Sequence, residues 1–316
     1  MTSSPEHARI AELRRIFEAR SPHVLVGIGD DAAVLARADG AMVVSVDAHV
    51  EGVHFTRALM PLRDAGWRAT MAALSDLAAM GAEPTAVFSA IGLPRSASDE
   101  ELYEVARGQA EAARAARTTI AGGNLTANAA IAITTTVIGV SASPVLRSGA
   151  RPGDAVWLGG DVGWSAAGLH LLQRAAPTEA PEERAVRAFR RPVARIALGR
   201  GAARAGVTAM IDVSDGLTAD ARHVAEESGV DVCLDEDALR DDELGALAGG
   251  ELAEAWVLGG GEDFALLATA PAALEIEGMR RVGWCRTPTA ARPGVYVGVG
   301  ALERRVDGLG FDHFRG

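Results

Sequence analysis

Lysine is missing from this chain: all 31 of its basic residues are arginine. A phosphate-binding P-loop and a lysine Schiff base are therefore both excluded, because each needs a primary amine. Cysteine is nearly missing. Cys233 and Cys285 share no CxxC spacing and have no histidine beside them, which predicts buried, reduced thiols in a cytoplasmic protein. No run of 18 apolar residues occurs, and residues 1–20 lack the apolar stretch of a signal peptide, so no membrane span is expected. Positive charge is also in deficit. With 42 acidic residues and a net charge of −11, the chain has no basic run with which to neutralise nucleic-acid phosphates.

The 48% apolar and 23% charged residues that are present belong to a globular protein, and 316 residues suit two domains rather than one core. The boundary is expected where Ser143-Pro144, Ser148-Gly149 and Arg151-Pro152-Gly153-Asp154 crowd turn signals together, dividing the chain into 1–145 and 146–316. In the first part, Ile10, Leu13, Ile16 and Phe17 predict an amphipathic helix. The run 41–46 predicts a strand that ends at Asp47. A helix is expected over 64–82, with Trp67, Met71, Leu74 and Ala78 on its core face and Asp76 beside the small residues Ala69, Ala72 and Ala73. Another is expected over 98–116, with Glu100, Glu104, Arg107 and Glu111 exposed. A strand over 118–126 is expected to break at Gly122-Gly123, and a further strand covers 129–140. These elements make a mixed α+β domain.

In the second part, strands are expected over 155–158, 205–213 and from Phe264 to Thr269, helices over 165–173 and after the 212–217 junction through Glu227, and a surface loop over 174–184. Asp215, at a strand-to-helix junction, also suits a helix N-cap. His49, Glu51 and His54 match no common zinc spacing.

Acids recur beside glycines, strand ends or small residues: Asp30 and Asp31 after Gly27-Ile28-Gly29, then Asp47, Asp76, Asp212, Asp215, and Glu262-Asp263 after three glycines. Carboxylates in that setting, in a chain with no zinc pattern, point to hard divalent cations held by oxygen. Mg²⁺ in such sites commonly accompanies substrate phosphates. Glycine-rich segments offer backbone N–H groups to phosphate oxygens, and Arg147 offers a bidentate fork.

The segments Gly27 to Leu35, Ser75-Asp76-Leu77-Ala78-Ala79-Met80-Gly81-Ala82, Asp212-Val213-Ser214-Asp215-Gly216-Leu217 and Gly260-Gly261-Glu262-Asp263 resemble, in the same order, the signatures of the thiamine-monophosphate kinases. That family belongs to a superfamily with aminoimidazole ribonucleotide synthetase, selenophosphate synthetase and a hydrogenase-maturation protein. The second segment is shared loosely across it. Glu51-Gly52-Val53-His54-Phe55 and the Glu262-Asp263 segment point more narrowly to the thiamine enzymes, and no N-terminal catalytic cysteine or lysine supports the selenium enzyme.

The resemblance implies a two-domain α+β fold of the aminoimidazole ribonucleotide synthetase type, with the N-terminal sheets of two subunits paired in a homodimer. It implies transfer of the ATP γ-phosphoryl group to thiamine monophosphate. It places Asp31, Ser45, Val46 (through its carbonyl), Asp47, Asp76, Asn124, Asp212 and Asp215 at positions for several Mg²⁺ ions. Tyr103, Gly123, Asn124, Arg147 and Ser214 fall at nucleotide positions, and His54, Glu262 and Phe311 near the thiamine phosphate. Asn124 departs from the family's aspartate. An amide oxygen still coordinates Mg²⁺ but adds no charge. That departure keeps open a nucleotide-binding protein of low activity, beside another ATP-dependent enzyme of the superfamily.

Overall fold

The computed structural model describes residues 5–18, 21–28, 32–174, 180–306 and 310. The chain separates into two compact units, one of Met1–Leu77 with Ala82–Ala142, the other of Ala78–Gly81 with Ser143–Gly316.

The first unit contains, in order, α1 (Pro5–Ile16), β1 (Val24–Val26), β2 (Val34–Leu35), β3 (Ala41–Val50), α2 (Leu62–Ala79), β4 (Glu83–Leu93), α3 (Asp99–Ala115), β5 (Ile120–Ala127) and β6 (Ala132–Ser141). Its main sheet has the order β3-β6-β4-β5, antiparallel except for the β4–β5 pair. Because side chains alternate across a strand, the pairing sorts residues onto two faces. Ser45, Asp47 and His49 share a face with Thr135, Ser89 and Gly123. Met42, Val44 and Val46 lie on the other face with Ile138, Thr136, Phe88, Ala90 and Asn124. The β3 residues of that second face are bare, at 70%, 53% and 61% exposure.

Two expectations need correction in this unit. β3 runs on to Val50, so Asp47 lies inside a strand rather than at its end. β5 passes unbroken through Gly122 and Gly123, since glycine there answers a packing demand and not a turn. A Cβ at Gly123 would lie 1.9 Å from the Ser89 carbonyl oxygen, and one at Gly122 would lie 3.0 Å from the Phe88 ring. α2 is buried nearly all round, and Asp76 on it is half-buried. α3 starts as its sequence asks: Ser98 and Glu101 form a capping box, and Arg107 pairs with Glu100 and Glu104 on the exposed side.

The second unit contains β7 (Asp154–Gly159), α4 (Trp164–Arg174), α5 (Ala180–Arg190), α6 (Ile196–Ala205), β8 (Ala209–Asp212), α7 (Leu217–Ser228), β9 (Asp231–Leu234), α8 (Glu236–Leu239), α9 (Asp242–Ala248), α10 (Gly250–Gly259), β10 (Leu266–Pro271), β11 (Arg280–Arg286), β12 (Val295–Val297) and β13 (Arg304–Val306). Its seven-stranded sheet has the order β13-β12-β9-β11-β7-β10-β8. β7, β8 and β9 are buried throughout, and Trp164, Val213, Leu217, Val232, Leu258 and Leu267 belong to one core cluster. The strand expected over 205–213 begins only at Ala209, because 196–205 is α6, closed by Gly206 at φ 89°. Residues 180–184 of the expected loop are the first turn of α5. The register Gly159↔Leu266↔Asp212 brings the end of β7, the start of β10 and the end of β8 to one end of the sheet. That end carries the acidic loops.

Candidate active site

In the first unit β3 and α2 meet at Ser45 and Asp76. Ser45 donates its Oγ hydrogen to Asp76 Oδ2. From Ser45 to His49 the strand advances about 13 Å, and from Asp76 back to Arg68 the helix advances about 12 Å. The two elements therefore run side by side. His49 meets the charge of Arg68 at the far end, and Asp47 lies between, facing the same helix. Arg68 is 0% exposed and His49 is 3% exposed. Burial first, then Arg68 and His54, hold the His49 imidazole well below its usual pKa, so the ring is neutral. Its 3.6 Å approach to Asp47 Oδ2 is accordingly a dipolar contact rather than an ion pair.

Beyond β3, Gly52 at φ 87° turns the chain through Glu51 to Phe55. Glu51 is clamped by Arg57, which also binds Glu101, and its carboxyl lies below the usual range for that reason. The backbone N–H of Val50 donates to His54 Nδ1 at 3.1 Å. With Nδ1 accepting, Nε2 is the ring nitrogen that carries a proton.

Tyr103 lies beside α1, where burial and the charges of Asp99 and Glu12 raise its phenol pKa. Gly123 shares the face of Asp47, whereas Asn124 is exposed on the opposite face with Val46. Asp30 and Asp31 fall outside the described residues, as does Phe311.

In the second unit two loops are locked together. The N–H of Glu262 donates to the Ser214 carbonyl at 2.7 Å, and that of Phe264 to the Val213 carbonyl at 2.9 Å. Glycine is required at this contact: a Cβ on Gly261 would lie 2.4 Å from the Ser214 oxygen, and one on Gly216 would lie 2.7 Å from the Gly259 oxygen. Glu262 and Phe264 both take positive φ, 64° and 49°, a conformation that non-glycine residues adopt only when their surroundings impose it. Asp212, Ser214, Asp215 and Glu262 are thus neighbours on one pair of loops. Arg147 is exposed in the segment leading into this unit, and its carbonyl accepts from Ser228 Oγ.

Asp263 does not join a cation cluster. Its Oδ2 accepts from the Gly163 N–H at 2.6 Å and its Oδ1 from the Ser165 N–H at 2.8 Å, so it caps α4 from a distance in sequence. Asp215 is not the N-cap of α7 either. Gly216 occupies that position, and the carboxylate that answers the turn's donors is Asp220, which sequence patterning did not single out. The signal for it was an acid one turn inside a helix whose cap is glycine. Burial, then Asp212 and Asp215, push the Asp220 carboxyl up to about 8, against the pull of the backbone donors.

A family model for the AIR synthase related protein N-terminal domain matches residues 29–141. The thiamine-monophosphate kinase of Mycobacterium tuberculosis strain CDC 1551 is 38% identical over 280 residues, covering 84% of this chain and 83% of its own. The crystal structure of the thiamine-monophosphate kinase from Stenotrophomonas maltophilia K279a superposes with a TM-score of 0.81 at 33% identity, over 93% of this chain and 96% of that one. AaThiL complexed with AMPPCP and TMP matches with a TM-score of 0.79 at 29% identity, over 99% of both chains. The chain has the AIR synthase-like fold and belongs to the thiamine-monophosphate kinase family.

Proposed function

We propose that this protein transfers the γ-phosphoryl group of ATP to thiamine monophosphate, giving thiamine diphosphate and ADP in thiamine diphosphate biosynthesis. The observation that carries the reading is family membership over more than four-fifths of the chain. The residues fit the chemistry. The acceptor is a phosphate oxygen already ionised near neutral pH, so the site needs no strong general base, and none is assigned. Its problem is repulsion between two polyanions.

The donor set suits Mg²⁺: after burial, the negative charges of Asp212 and Asp215 add to the rise of the neighbouring Asp220 carboxyl, a field that a hard cation relieves. In the first unit Asp47, Asp76 and Ser45, with the Val46 carbonyl, are the corresponding oxygen donors, Asp31 completes the proposed set, and Asn124, on the opposite face of the sheet, is proposed as a donor to a further Mg²⁺ ion. Mg²⁺, when bound, neutralises the phosphates and aligns them for in-line transfer. Tyr103, Gly123, Asn124, Arg147 and Ser214 are the proposed nucleotide contacts. His54 presents an Nε2–H donor to the substrate phosphate, Glu262 is held toward the substrate by its locked loop, and Phe311 is the third proposed substrate contact.

The 1–145 domain is proposed to bind nucleotide and metal and to dimerise, and the 146–316 domain to complete the site. The bare Met42, Val44 and Val46 support a homodimer, because alternating large apolar residues on an open sheet face invite a second surface. Two buried thiols pushed up to about 12 fit a reducing cytoplasm, and no helix among the described residues is long and apolar enough to cross a membrane. The test is direct. Purified protein with ATP, Mg²⁺ and thiamine monophosphate yields thiamine diphosphate and ADP; nucleotide binding with no product overturns the reading.

A further inference from the structure

The turn Ser214-Asp215-Gly216 at the start of α7 has the form of an anion receptor. Three successive backbone N–H groups, at the positive end of a helix of 12 residues, converge on one point. In many proteins such a nest holds a phosphate. Here it is filled from within: Asp220 Oδ2 accepts from the N–H groups of Ser214 at 3.0 Å, Asp215 at 3.1 Å and Gly216 at 3.1 Å. Asp220 is 2% exposed, so this internal acceptor is sealed behind the loop.

We propose that Asp220 is a positioning residue that sets the polarity of this loop, occupying its N–H groups so that the Asp212 and Asp215 carboxylates, and not backbone donors, decide which charge the loop attracts. The inference rests on the proposed kinase reading for what binds there. Without Asp220, the same turn presents three open N–H donors and has affinity for anions in place of cations. Gathering the donors of 214–216 on one oxygen also fixes the backbone direction at Asp215, and through the Ser214 carbonyl it fixes the loop that carries Glu262. Asp220 touches neither substrate in this scheme; it acts through the ligands it orients.

The test compares Asp220→Ala with Asp220→Asn in the full-length protein. An asparagine oxygen can accept the same N–H groups, whereas alanine leaves them open. Calorimetry measures Mg²⁺ binding and inorganic phosphate binding to each protein without substrates, and the kinase assay measures kcat and the Mg²⁺ concentration for half-maximal rate. The expected result is a tenfold or greater weakening of Mg²⁺ binding in Asp220→Ala with a matching rise in the half-maximal Mg²⁺ concentration, new phosphate binding in that variant, and recovery of at least half of the lost Mg²⁺ affinity in Asp220→Asn. If Asp220→Ala does not fold, folded Asp220→Asn decides alone. Near wild-type Mg²⁺ affinity then supports the proposal, and a loss of tenfold or more overturns it. A lowered melting temperature in Asp220→Ala with unchanged Mg²⁺ affinity reduces Asp220 to a structural cap and overturns the proposal. Wild-type protein that makes no thiamine diphosphate defeats the kinase reading separately, and the calorimetric comparison still decides the role of Asp220.

Discussion

Gly261→Ala is the substitution whose cost the structure lets one work out. The added Cβ lies 2.4 Å from the Ser214 carbonyl oxygen. A comfortable carbon–oxygen contact is about 3.3 Å, so the two loops must part by roughly 1 Å. That opening lengthens the 2.7 Å bond from the Glu262 N–H to the same oxygen. Loss of the bond costs about 1 kcal/mol and the overpacking about 1–3 kcal/mol, for a total of about 2–4 kcal/mol. In a unit of this size the melting temperature falls by roughly 10 °C. The effect on turnover is larger in relative terms, because a shift of about 1 Å in a positioned group costs on the order of 100-fold. Gly245→Ala is the control: it lies inside α9, a Cβ there meets nothing within 4 Å, and the exchange stabilises by about 0.5–1 kcal/mol with no change in kcat. Calorimetric melting and steady-state kinase kinetics on both variants check this. Wild-type melting and kcat in Gly261→Ala, or equal losses in the two variants, would refute the locked-loop account.

In the first unit, His49 is neutral when folded and has a pKa near 6.5 when unfolded, so the unfolded chain takes up more protons as pH falls below that value and stability drops with it. His49→Leu is expected to remove this component, up to about 2 kcal/mol at pH 5 relative to pH 7, and denaturant melts of the two proteins with the same slope against pH would contradict it. Asn124→Asp is expected to raise activity at limiting Mg²⁺, lowering the half-saturating concentration about fivefold, roughly 1 kcal/mol; a Mg²⁺ titration that does not move argues against a ligand role for residue 124.

Several elements are legible in the sequence, for physical reasons that differ from one to the next. Helices α1, α2 and α3 announce themselves through apolar spacing and, in α3, a capping box, since these are short-range properties. The acids of the candidate site stand out because carboxylates beside glycine are unusual in number. Glycine's meaning is less legible. At 259–261 it marks a close approach, yet at 122–123 the same residue type, which suggests a break, allows β5 to pass against Ser89 and Phe88. The strand around Asp47 looks shorter than it is because the polar residues Asp47 and His49 do not read as strand, although both sit on a face covered by a helix.

Residue types alone determined that this chain has no amine chemistry, carries an excess of acid and places those acids in segments shared with one enzyme family. Tertiary structure alone decided what each acid does. Asp215 and Asp220 are five residues apart at one helix start, and Glu262 and Asp263 are adjacent; local sequence treats the members of each pair alike. Only the folded backbone separates them, because it turns the N–H groups of 214–216 toward Asp220 and those of Gly163 and Ser165 toward Asp263. A carboxylate committed to backbone donors holds the loop in shape, whereas one aimed elsewhere can serve chemistry.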